Sequence, residues 1–298
     1  MNHTPSQLNG LGIALVTPFL ADGSVDYPAL QRLVNYQIDN GVDFLVALGT
    51  TSEAPCLTIQ EKADVCRCIV DTVQGRLPLV IGCGGNCTAN VIDELTHTSL
   101  DDFCAVLSVA PFYNKPNQEG LYQHFRAIAQ ASPKPVILYN VPSRTGVNIS
   151  AETTLKLATD CPNITAIKEA SGNMEQIKAI LAAKPQHFTV LSGDDALTLD
   201  MMREGASGVI SVIGNALPRQ FKHMLTLFKE GKETEAEAMN QRFHDLYKLL
   251  FADGNPAGIK ALLHIMGYTQ NTLRLPLTPI HLNIFEKMQL QVQRLQLM

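Results

Sequence analysis

Lys168 sits where a lysine is rarely found. Of 13 lysines it alone lies within an apolar strand-like run, Ile164-Thr165-Ala166-Ile167-Lys168. Desolvating an ammonium is costly, so burial pushes a lysine toward its neutral amine. The neutral amine is the nucleophile that forms a Schiff base with a carbonyl. The competing reading pairs Lys168 with Glu169 in a salt bridge. Strand alternation points neighbours to opposite faces, which weakens that pairing. Tyr139, in Tyr139-Asn140-Val141-Pro142, could relay protons to a nearby imine or simply fill a core. Thr51 offers a hydroxyl in Gly49-Thr50-Thr51-Ser52-Glu53, where Thr50 and Glu53 also have the spacing of a capping box. Arg144, in Ser143-Arg144-Thr145-Gly146, could clamp a carboxylate through two parallel hydrogen bonds or lie solvated at the surface. Tyr113, in Pro111-Phe112-Tyr113-Asn114, reads as a rim residue or a protein contact.

Other chemistries find less support. Asp194 and Asp195 adjoin each other, so on a strand they point apart, and a helix-capping loop fits them better than an acid/base pair. None of the 8 histidines shows H-E-x-x-H spacing, and the run ending Thr17-Pro18-Phe19 lacks an H-x-H metal motif. Gly82-Cys83-Gly84-Gly85 approaches a dinucleotide fingerprint, but Cys87 stands where the last glycine belongs. Seven cysteines cannot all pair and form no C-x-x-C, which suits small buried hydrophobes in a reducing compartment. A net charge of −5 argues against nucleic acid or anionic membrane as a partner. No apolar run reaches the roughly 18 residues of a membrane span, and Met1–Leu8 is too polar for a signal peptide. A cytoplasmic location is therefore expected.

The elements that must position these residues can be read from the apolar pattern. Eight short runs rich in Val, Ile and Leu recur: 10–19, 44–49, 77–84, 105–112, 135–142, 164–170, 188–195 and 208–215. Each is apolar throughout, the habit of strands buried on both faces of a parallel sheet. Amphipathic stretches separate them, several opened by Ser, Thr or Asp; in the first, Leu30, Leu33, Val34 and Ile38 share a face. With 298 residues and 46% hydrophobic content, a large core is available. Eight βα units in about 230 residues fit a (β/α)8 TIM barrel better than a doubly wound sheet. The remainder reads as helix. The expected organisation is thus a catalytic barrel over residues 1–228 and a small C-terminal helical region over 229–298. In such barrels chemistry sits at the C-terminal ends of strands, where Lys168, Tyr139, Thr51 and Tyr113 all fall.

Taken in order, Gly-Thr-Thr-x-Glu, Tyr-Asn-Val-Pro-Ser-Arg-Thr-Gly, Ile-Lys-Glu-Ala-Ser-Gly and Leu-Ser-Gly-Asp-Asp resemble the dihydrodipicolinate synthase family, within the pyruvate-dependent class I aldolases. The resemblance runs from Gly12 to Pro279. It implies that Lys168 forms the Schiff base with pyruvate. It implies a proton relay of Tyr139, Thr51 and Tyr113, the last donated across a dimer interface. Arg144 would hold the carboxylate of aspartate semialdehyde, Thr50 would help bind that of pyruvate, and Gly193 and Ile210 would line the site through backbone groups. No metal or organic cofactor is implied, and a homotetramer built as a dimer of dimers is. The alternatives are another pyruvate aldolase, such as N-acetylneuraminate lyase, or a non-catalytic keto-acid sensor. Lysine-inhibited relatives carry a histidine or tryptophan, a glutamate and a tyrosine where this chain has Ile59 and Lys62, Asn90, and Phe112; Asn86 matches. Weak or absent inhibition by lysine is the expectation.

Overall fold

The computed structural model describes residues 8–297, so most of the polar N-terminal stretch lies outside the described residues. Eight parallel strands close into a barrel in sequence order: β1 (Gly10–Ala14), β2 (Phe44–Ala47), β3 (Leu79–Gly82), β4 (Ala105–Val109), β5 (Val136–Asn140), β6 (Ile164–Glu169), β7 (Thr189–Ser192) and β8 (Gly208–Ser211). The helices are α1 (Tyr27–Asp39), α2 (Ile59–Val73), α3 (Thr88–His97), α4 (Gln118–Ala131), α5 (Pro142–Thr145), α6 (Ala151–Asp160), α7 (Met174–Ala183), α8 (Thr198–Arg203), α9 (Pro218–Lys229), α10 (Glu233–Ala252), α11 (Ala257–Ile265) and α12 (Leu282–Arg294). The expected (β/α)8 barrel with C-terminal helices is therefore present. Each strand lies within its apolar run, at or near the start of it. The run's end becomes the loop that carries polar side chains.

Two compact units divide the chain. The first holds Met1–Gly12, described from Leu8, with Pro78–Ile210. Its strands pair without gaps from β3 to β8, and β5 and β6 align Leu138 with Ile167, Tyr139 with Lys168 and Asn140 with Glu169. Gly208 lets β8 meet β1: a Cβ there would collide with the Gly10 backbone, whose N–H donates to Ser207 O at 2.9 Å. Helix starts follow local capping chemistry. Asn117, Ser150 and Asn173 accept from backbone N–H groups in the first turns of α4, α6 and α7.

The second unit holds Ile13–Leu77 with Ser211–Met298. In α1, Leu30, Leu33 and Val34 are buried as the spacing predicts. Ile38 is only half-buried, and Gln37 takes the inner position because its amide donates to Asn215 O at 2.8 Å. Asn215 also donates to Ala14 O and accepts from Val16 N. One buried hydrogen-bonding partner thus outweighs apolar periodicity at that position. Helix α10 packs against α9, α11 and α12, burying Phe243, Leu246, Tyr247 and Leu250.

Candidate active site

In the first unit, Lys168 and Tyr139 stand side by side as register partners near the ends of β6 and β5. Lys168 is 5% exposed, and its Nζ lies 4.4 Å from the Tyr139 ring centroid. No ion pair among the described residues engages Lys168. Glu169, the alternative partner, faces the other way, as strand alternation requires. Its fully buried carboxylate accepts from Asn140 Nδ2 at 3.0 Å, Ser171 N at 2.7 Å and Gln176 Nε2 at 3.1 Å. Three neutral donors satisfy that charge, which leaves the lysine amine free of it.

Gly193, just past β7, borders the same amine. A Cβ there would lie 2.6 Å from Ala170 Cβ and 3.1 Å from Lys168 Cε, so any side chain would crowd the lysine stem. Ile210 is buried near the end of β8. Asp194 turns away from acid/base work: its Oδ1 accepts from Ala196 N at 2.9 Å in the loop before α8, but it does not cap that helix, whose N-cap is Leu197 with no side-chain hydrogen bond. Arg144 lies exposed on α5, a single turn closed by Gly146 at φ +74° and by the Thr145 hydroxyl reaching Val141 O. Tyr113 is 88% exposed on the loop after β4 and holds φ +74°, a left-handed backbone rare outside glycine. Asn114 braces that loop by donating to Asn86 O at 2.8 Å.

In the second unit, Thr50 and Thr51 form a short 3₁₀ turn after β2. Thr51 is buried, and its Oγ1 accepts from Asn255 Nδ2 at 3.0 Å. The capping box suggested by Thr50 and Glu53 is absent. It sits instead at Thr58 and Glu61, which open α2. Glu53 adopts φ +58° and sends a fully buried carboxylate to Lys260 Nζ and Arg274 N. Lys260 also donates to Thr272 O at 2.9 Å and lies 3.9 Å over the Phe19 ring. Burial pushes its pKa down to about 8, and the Glu53 carboxylate opposes that fall. Arg274 clasps Glu61 through two hydrogen bonds of 2.8 and 2.6 Å, which hold the Glu61 carboxyl down at about 2.

Sequence reasoning missed Asn255, Lys260 and Arg274. No spacing singles out the asparagine or the arginine. Lys260 did carry a signal, since it interrupts the apolar helical run Ala257-Gly258-Ile259-Lys260-Ala261-Leu262-Leu263.

Comparison with known proteins gives the family. The model of the dihydrodipicolinate synthetase family matches residues 7–295. The 4-hydroxy-tetrahydrodipicolinate synthase of Phocaeicola vulgatus is 53% identical over 283 residues, covering 95% of each chain. Among solved structures, the dihydrodipicolinate synthase of Aquifex aeolicus superposes with a TM-score of 0.93 at 41% identity, covering 97% of this chain and 99% of that one. A monomeric dihydrodipicolinate synthase variant superposes with a TM-score of 0.95 at 35% identity, covering 98% of each. With the eight-stranded barrel and the lysine–tyrosine pair in place, the chain belongs to the dihydrodipicolinate synthetase family.

Proposed function

We propose that the chain catalyses the reaction of the 4-hydroxy-tetrahydrodipicolinate synthases, a lyase-type condensation of pyruvate with L-aspartate 4-semialdehyde in diaminopimelate and lysine synthesis. The observation that carries the Schiff-base reading is Lys168: a buried amine without a carboxylate partner among the described residues, set against a tyrosine ring. The Lys168 amine adds to the pyruvate carbonyl, and loss of water gives an imine. The imine draws electrons from the adjacent methyl group, which loses a proton and becomes an enamine. The enamine carbon attacks the aldehyde of the second substrate. That substrate's own amine then attacks the imine carbon, closes the ring and releases Lys168. Every step is a carbonyl addition, an elimination or a proton transfer, so the scheme calls for no metal or organic cofactor.

The proton transfers fall to Tyr139, Thr51 and Tyr113. Thr50 helps hold the pyruvate carboxylate, Arg144 that of the semialdehyde, and Gly193 and Ile210 line the site. The bareness of Gly193 beside Lys168 supports its part. Tyr113 acts from a neighbouring subunit in a dimer of dimers, a reading supported by its exposure and by the half-exposed Phe112 beside it. Residues 1–228 form the catalytic barrel and 229–298 the C-terminal helical region. The location is cytoplasmic: seven free cysteines suit a reducing compartment, and no helix among the described residues is long and apolar enough to cross a membrane. The test is a coupled assay with pyruvate and aspartate semialdehyde, run beside sialic acid cleavage. Turnover in the first and none in the second is expected; the reverse would move the chain to a different aldolase class.

A further inference from the structure

The hydrogen bond between Asn255 and Thr51 links a residue just before α11 to a hydroxyl near the end of β2. Both side chains are buried. A threonine hydroxyl carries one proton and two lone pairs. The Asn255 N–H occupies one lone pair, so the hydroxyl proton must point elsewhere. This is the one hydrogen bond the Thr51 side chain makes among the described residues. The turn that carries Thr51 is anchored from the same stretch of chain. Two residues after Thr51, the Glu53 carboxylate meets Lys260, five positions beyond Asn255, and the left-handed backbone at Glu53 aims it there. A hydroxyl that passes protons works only if its own proton points along the relay. With a free rotor that direction would be lost part of the time.

We infer that Asn255 is a positioning residue that fixes the direction in which Thr51 presents its hydroxyl proton. The inference rests on the relay role given to Thr51 above. It assigns the C-terminal helical region a part in the chemistry, although Asn255 itself does not touch the reacting atoms.

A cycle of variants tests it, read with pyruvate and aspartate semialdehyde. Asn255→Asp keeps the size of the side chain but replaces the donor with an acceptor, which draws the Thr51 proton toward itself. We expect kcat to fall by roughly tenfold to a hundredfold at pH 8 while KM for pyruvate stays within about threefold. In a Thr51→Val background the same substitution should change kcat by less than about twofold. The loss should also shrink as pH falls and the introduced carboxyl, once protonated, can donate to Thr51. Asn255→Leu serves as the second variant. It should show the same dependence on Thr51 and a loss that is flat with pH. An equal loss with and without the Thr51 hydroxyl would overturn the inference and leave Asn255 a packing residue. If Thr51→Val alone turned over at the native rate, the relay reading would fail and take the inference with it. The single variant and the cycle therefore separate the two failures.

Discussion

Lys260 meets the Glu53 carboxylate, the Thr272 carbonyl and the face of Phe19, whereas Lys168 meets no carboxylate among the described residues and lies over Tyr139. Both amines are buried, and their neighbours give them different work. A lysine held by a buried carboxylate is a structural cation; a lysine without one is available as a nucleophile. Lys168 was legible because a charged residue in a fully apolar strand has no face from which its stem could reach water. Lys260 escaped because a lysine on a helix ordinarily reaches solvent along its stem. The partner that keeps it inside is 207 positions away in sequence, since Glu53 is not paired locally. The expectation about lysine inhibition also belongs to single residues. Ile59 is 89% exposed at the start of α2, Asn90 is exposed on α3, and Phe112 is 41% exposed beside Tyr113. Asn90 offers a dipole where an ammonium ligand wants a carboxylate, and Phe112 has no hydroxyl to give. Each lost charge-assisted hydrogen bond costs about 1.5–3 kcal/mol, or roughly tenfold to a hundredfold in affinity. Titration with lysine at sub-saturating pyruvate should therefore give half-inhibition above about 1 mM. Half-inhibition well below that would mean the substitutions do not act as argued.

At the scale of elements, strand positions were readable from continuous apolar runs, because strands covered on both faces have no polar side to alternate with. Helix α7 runs from Met174 to Ala183, opened by the Asn173 side chain. The short turns were not readable. The 3₁₀ turns at Thr50–Ser52 and Ala54–Cys56 are set by distant partners and a left-handed Glu53, and the single turn of α5 by Gly146 and the Thr145 hydroxyl, none of which leaves a periodic trace. The Glu61–Arg274 pair shows such long-range anchoring most clearly, since it ties α2 to the segment after α11. The folded Glu61 carboxyl, at about 2, lies below its ordinary value of 4.5, so between these values the unfolded chain binds more protons. The pair's stabilisation is therefore complete above about pH 4.5 and is lost as pH falls through about 2. Allowing for solvent screening it amounts to about 1–2 kcal/mol. Urea unfolding of the native protein and Glu61→Gln should differ by that amount at pH 6 and converge toward pH 2. A gap unchanged by acid would show that the carboxylate's charge is not what matters.

For the whole molecule, the barrel places Lys168 and Tyr139 on adjacent strands, so one register sets both residues of the proposed site. Assembly was the least legible property. An exposed tyrosine in a loop carries no signature of the surface it meets; its own residues left a rim position or a protein contact open, and the resemblance supplied the dimer interface. If Tyr113 serves a neighbouring subunit, mixing Tyr113→Phe chains with Lys168→Ala chains should restore part of the native activity. Activity no greater than the sum of the two variants assayed apart would confine each site to one chain. The central claim is that Lys168 forms an imine with pyruvate, and the most direct measurement is borohydride reduction in the presence of pyruvate, followed by mass spectrometry of the peptides. The account predicts one pyruvate-derived adduct per chain, on Lys168, and none on Lys168→Ala. An adduct that persists in Lys168→Ala, with buried Lys260 the first place to look, or no adduct on the native protein, would contradict it.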